Sequence, residues 1–98
     1  MFVQLVKLYD SPKKYKMIFY DDDRKKVKTT NFGAAGFSDY TINRDKDRRQ
    51  RYLDRHRKRE KWDRPMTPGS LSRFILWNMP TIKSSFKDYR TRFKFKLY

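Results

Sequence analysis

Apolar and polar residues alternate through the first third of the chain. They fall at helical spacing through the last third, and a densely charged stretch separates the two. Alternation is the pattern of a half-buried strand, and a three-to-four-residue recurrence is that of an amphipathic helix. Residues 1–8 read as a short strand, and Pro12 marks the turn after it. Tyr15 to Tyr20 is rich in β-formers, Asp21-Asp22-Asp23 supplies turn chemistry, and Lys26 to Phe32 alternates again. Residues 1–32 are therefore expected to form a three-stranded antiparallel meander.

The rest of the chain predicts helices. Residues 33–43 begin with Gly33-Ala34-Ala35-Gly36 and read as a glycine-rich loop. Residues 44–64 read as an arginine-rich helix capped by Asn43, with Asp45 and Asp47 in its first turn, where the helix dipole favours anions. Its apolar stripe is thin, comprising Tyr52, Leu53, His56 and then Trp62. Pro65 ends it. A second helix spans 67–79, with Thr67 as cap and Pro68 at the first helical position. A third spans 81–93, with Thr81 as cap and Ile82, Phe86, Tyr89 and Phe93 along one face. Residues 94–98 are a tail that alternates and so could form a terminal strand. The expected fold is α+β: a small N-terminal antiparallel β-meander followed by two or three short helices, in one domain over 1–98.

Composition adds a constraint on partners. The chain carries 26 Lys+Arg against 11 Asp+Glu, a formal net charge of +15. Such a balance favours nucleic acid, membrane surfaces or acidic proteins as partners. Eight Phe, seven Tyr and two Trp allow a compact core from few residues, since each aromatic ring buries a large area. There is no cysteine, so neither a disulfide framework nor a thiolate metal site can form. No apolar run approaches the roughly 20 residues of a membrane span, and the N-terminus does not read as a secretory signal.

The charge is unevenly spread. Residues 44–64 hold a net +6 and residues 83–98 a net +5. In the first cluster, Arg48, Arg49, Arg51, Arg55, Arg57, Lys58, Arg59 and Arg64 form the candidate docking face for an anionic partner, because guanidinium groups bind phosphate and carboxylate through paired hydrogen bonds. The plain alternative is a solvated helix whose five acids form i,i+4 pairs with those cations. In the second cluster, Lys83, Lys87, Arg90, Arg92, Lys94 and Lys96 interleave with Phe86, Tyr89, Phe93 and Phe95. That pattern could stack unpaired bases, although the helical spacing of the rings favours a core face instead.

Other constellations are weaker. Asp21-Asp22-Asp23 suits a hairpin turn better than a cation site. His56 and Glu60 stand at i,i+4 and could act as acid and base or as two metal ligands, but a histidine packed on Trp62 or bonded within its helix is the simpler reading. The glycine loop lacks the lysine of a phosphate-binding loop. No nucleophile stands beside a base. A non-enzymatic protein without cofactor, metal or small-molecule substrate is expected.

The run Phe32-Gly33-Ala34-Ala35-Gly36-Phe37-Ser38-Asp39-Tyr40-Thr41-Ile42, with Tyr52, Arg55-His56, Arg59-Glu60, Trp62 and Thr67 through Asn78, resembles a family of small basic proteins encoded by large double-stranded DNA viruses, including those of algae. The resemblance covers roughly residues 14–93. It implies a setting in the virion, and in the host cell interior during assembly. It brings no catalytic residues. In that setting the expected role is a minor capsid or inner-shell component docked on larger virion proteins through the arginine-rich helix. The alternative is a nucleic-acid-binding or genome-condensing protein.

Overall fold

Alternation in the N-terminal third resolves into three antiparallel strands in the computed structural model, which describes residues 1–98. These are β1 (Phe2–Lys7), β2 (Lys13–Tyr20) and β3 (Lys26–Ala34). A two-residue strand from the tail, β4 (Lys96–Leu97), joins the free edge of β1 in parallel, giving the order β3-β2-β1-β4. Register follows the side-chain period of two: Val3 opposes Phe19, and Tyr15 opposes Phe32. Val3, Met17, Phe19 and Phe32 are fully buried on the same face. On the opposite face Phe2, Gln4, Val6, Lys16, Ile18 and Tyr20 are all at least partly exposed.

The acidic turn between β2 and β3 is held by Asp21, whose Oδ1 accepts from the Asp23 and Lys25 backbone N–H groups. Arg24 adopts the left-handed conformation there. Asp22 pairs with the Met1 ammonium at 2.9 Å, which holds its carboxyl below the usual range. No group of three or more His, Asp or Glu side chains is placed to hold a metal ion.

The central charged segment folds differently from its expected single helix over 44–64. Asp39, buried at 2% exposure, caps a one-turn helix α1 (Tyr40–Asn43). Arg44 then takes a left-handed conformation with φ 51°, which breaks the chain path. Asp45, rather than Asn43, caps α2 (Lys46–His56) by accepting from Asp47 and Arg48 N–H. α2 ends at His56, well before Pro65. Residues 57–64 run in turns and loop, where Glu60 bonds His56 Nδ1 at 2.8 Å and Trp62 Nε1 at 2.9 Å.

The expected helix over 67–79 begins as predicted, with Thr67 accepting from Ser70 N–H and Pro68 in the first turn. Helix α3 (Pro68–Leu71) passes directly into a π-helical segment, Ser72–Leu76. Phe74, Ile75, Leu76 and Trp77 are consecutive and all buried, so this segment is enclosed on several sides and does not lie on one stripe. Thr81 caps α4 (Ile82–Phe93), and Lys94 closes it in the left-handed conformation. The core is one cluster of 13 buried residues drawn from the sheet's inner face, α1, α2, the α3–π segment with Trp77, and α4. No helix is long and apolar enough to cross a membrane.

Candidate anion-binding surface and cleft

The cations of the central segment divide by what their backbone requires of them. Arg48, Arg51, Arg55, Arg57, Lys58, Arg59 and Arg64 are exposed. None is in an ion pair: the four pairs in the protein are Met1–Asp22, Lys14–Asp39, His56–Glu60 and Arg92–Asp88. Three of the segment's five acids are engaged elsewhere, and the other two, Asp47 and Asp63, are exposed and form no ion pair. Asp45 caps α2, Asp54 accepts from Gln50, and Glu60 accepts from His56 and Trp62. Arg49 stands apart from the other docking candidates. It is half-buried, its Nε donates to the Trp77 and Asn78 carbonyls, and its guanidinium lies 5.6 Å from the Tyr40 ring centroid. It ties α2 to the end of the π-helical segment, and its outward reach is correspondingly reduced.

The second basic cluster is organised by the core beneath it. Tyr89 is fully buried and donates its hydroxyl to the Pro65 carbonyl at 2.7 Å. Burial pushes that phenol well above its ordinary range. Phe93 and Phe95 pack on Tyr89, and Phe93 meets Phe74 edge-on. These rings hold α4 against the π-helical segment, so the interleaved aromatics serve as core contacts rather than as a platform for bases. Of the cations, Lys83, Lys87, Lys94 and Lys96 are exposed. Arg90 lies 4.6 Å from the Phe86 ring, and Arg92 pairs with Asp88 at 3.3 Å.

One arginine outside both clusters connects them. Arg73 in the π-helical segment is half-buried and lies near the Trp62 and Phe74 rings, with centroid distances of 5.3 and 4.9 Å. Its Nη1 donates to the same Trp77 carbonyl that Arg49 uses, while its Nε has no partner. Arg92 approaches the same Phe74 ring at 4.8 Å. Burial, then the charges of Arg49 and Arg92, push the Arg73 guanidinium down to about 10. The two basic clusters, separate in sequence, thus meet around Arg73. Its place in an amphipathic pattern gave no sign of this role, since a polar residue between Ser72 and Phe74 reads as an ordinary solvent-facing position.

A cleft of about 490 Å³ lies between the end of β3, α2 and the start of α3. Two aromatic stacks form part of its wall: Tyr52 stacks on His56 at 4.1 Å and on Trp77 at 4.4 Å. Gly33, with φ 77°, brings strand β3 so close to the π-helical segment that a Cβ there would sit 2.7 Å from Leu76 Cδ1. Two of the cleft's nitrogen-bearing side chains, Lys14 and His56, are held by acids. Lys14 bonds the buried Asp39 at 2.6 Å, and the Asp39 charge, after burial itself, raises the nearby Tyr15 phenol. His56 bonds Glu60, whose carboxylate fits against the missing side chain of Gly69. Lys13, Arg48 and Arg55 also line the cleft and have no ion pair. The sequence placed Arg48 and Arg55 on the docking face but not beside Lys13, because Lys13 comes from β2, more than thirty residues before α2.

No curated protein and no solved structure matches the chain. The chain belongs to a family of unknown function, DUF5754, whose model matches residues 3–56, the span from β1 to the end of α2.

Proposed function

We propose that the protein is a non-enzymatic docking module that binds a polyanion, and that this partner is the phosphate backbone of a nucleic acid. One observation carries the reading: seven of the eight docking candidates in the central segment, all but Arg49, are exposed, and none has an acidic partner. Unpaired guanidinium groups on a stable scaffold lose little when they engage phosphate, and the released counterions drive association. The acids interspersed among them would have argued for a protein partner if they lay on the same face in ion pairs. None of the five acids is paired with one of these cations, which leaves the arginines free for phosphate.

The setting implied by the resemblance is retained within the proposal. In a large DNA virus the polyanion would be the packaged genome. A second reading keeps the minor capsid or inner-shell role, with larger virion proteins as partners. It is favoured by the uncovered sheet face, where Phe2, Val6, Ile18 and Tyr20 are only partly buried and fit a protein contact.

The deciding experiment is a titration of the full chain against duplex DNA across a salt series. Each phosphate neutralised should lower log K by about 0.9 per decade of salt, so a slope of several units is expected. Arg55→Glu combined with Arg59→Glu should weaken binding by at least about ten-fold without altering the fold, since both residues are exposed. Weak, salt-independent binding would overturn the nucleic-acid reading and leave the shell-protein reading standing.

A further inference from the structure

The cleft is distinct from the outer arginine surface, although Arg48 and Arg55 contribute to both. Its volume, about 490 Å³, falls within the range of about 300–1,000 Å³ typical of small-ligand sites. Four Lys/Arg side chains line it, Lys13, Lys14, Arg48 and Arg55, against two carboxylates, Asp39 and Glu60. Both carboxylates are already held by partners inside the protein. The remaining charge of +2 matches one phosphate monoester.

The apolar part of the lining is equally specific. Phe37 lines the cleft yet is 72% exposed, a large ring on a glycine-flanked turn with most of its surface uncovered. Ser72 and His56 also line it. The Ser72 hydroxyl has no intramolecular partner, and the Glu60 bond to Nδ1 leaves His56 Nε2 as the free ring nitrogen. An accessible ring, two uncommitted polar groups and unneutralised cations in one cleft are the elements that recognise a base joined to a phosphate.

The geometry points to a nucleotide site: the cleft takes one nucleotide, with its phosphate on Lys13, Arg48 and Arg55 and its base against Phe37. This deepens the nucleic-acid reading above and rests on it where the nucleotide is one unit of a strand. A free nucleotide has the same chemistry, and the two sources are separable by experiment.

The full chain is titrated by isothermal calorimetry with a nucleoside 5′-monophosphate, the corresponding nucleoside, inorganic phosphate and a single-stranded oligonucleotide, at about 0.15 M salt, where exposed charges more than roughly 8 Å apart are screened. The monophosphate should bind saturably, and the nucleoside and inorganic phosphate each at least about ten-fold more weakly, because each lacks one of the two recognised parts. Phe37→Ala should weaken the monophosphate and the oligonucleotide by about ten-fold, the size of a lost base–aromatic stack. Duplex DNA, whose bases are not free to stack, should bind the variant as tightly as the parent. Equal loss for monophosphate and oligonucleotide supports a site open to free nucleotide. Oligonucleotide binding that Phe37→Ala weakens, with no measurable monophosphate binding to the parent, supports a site for a strand unit.

The proposal is overturned if neither ligand responds to Phe37→Ala, or if inorganic phosphate binds as well as the monophosphate. In either case, persistent salt-dependent duplex binding would leave the outer surface reading intact. Because Phe37 is mostly solvent-exposed, the substitution leaves the core alone. An unchanged thermal unfolding midpoint verifies that the loss is local.

Discussion

Helices α2 and α4 carry similar numbers of cations per turn, yet the protein uses them in opposite ways. α4 is a core element: Tyr89 is fully buried, Phe93 and Phe95 pack around it, and its charges occupy the outer half of the helix. α2 buries only Tyr52 and Leu53, is anchored by Arg49, and otherwise presents unpaired arginines. Charge density alone therefore does not identify a binding surface. What distinguishes the two is how much apolar area each helix contributes for the charge it carries.

The sharpest test of that contrast is to remove the anchor from each helix. Tyr89→Ala is expected to cost about 3–5 kcal/mol, as large aromatic truncations in a closed core do, and to lose the bond to the Pro65 carbonyl. Leu53→Ala should cost nearer to about 2 kcal/mol, since α2 sits at the margin of the core. Chemical denaturation measures both. Equal losses would mean that α2 is as integral as α4 and that its arginines are held by the core. A smaller effect comes from Asp45→Ala, which removes the α2 cap at about 1 kcal/mol. The array of arginines should fray with it, seen as lower helicity by circular dichroism and weaker polyanion binding. The corresponding loss of the α4 cap, Thr81→Ala, should leave binding nearly unchanged.

The smallest expected effect concerns Arg73, which links the two helices. Its guanidinium is held at about 10 in the folded protein against an ordinary 12.5. The unfolded chain therefore binds the extra proton between those values, and stability from this group is reduced below about pH 10 and recovers as pH rises toward 12.5. At neutral pH a bound polyanion relieves the same strain. Addition of polyphosphate should thus raise the thermal midpoint of the parent more than that of Arg73→Met. An identical rise in both would show that Arg73 does not sense the bound anion.

The parts of this arrangement that were legible in the sequence are local. The α+β order, the meander, and the Thr67 and Thr81 caps each depend on residues within a few positions of one another, so spacing reveals them. The early end of α2 was not legible, because Arg57, Lys58 and Arg59 are good helix formers and no residue before Pro65 announces a stop. Nor was the shift from α3 into a π-helical segment, which no residue type announces. The meeting of Arg49, Arg73 and Arg92, and the cleft joining Lys13 to Arg55, depend on chain crossings separated by tens of residues. Periodicity carries no information about those.

The two residues of β4 have a consequence for how the fold is reached. They pair with the outer edge of β1 at Phe2 and Val3, so that end of the strand has no partner on its outer side until residues 96 and 97 arrive. Until then β1 presents an open edge rich in Val and Leu, the kind of template on which a second chain can add. Folding of this sheet is thus a race between its own tail and its neighbours. The lysines at 94 and 96, whatever else they bind, bring a repulsive charge to that edge at the moment it closes.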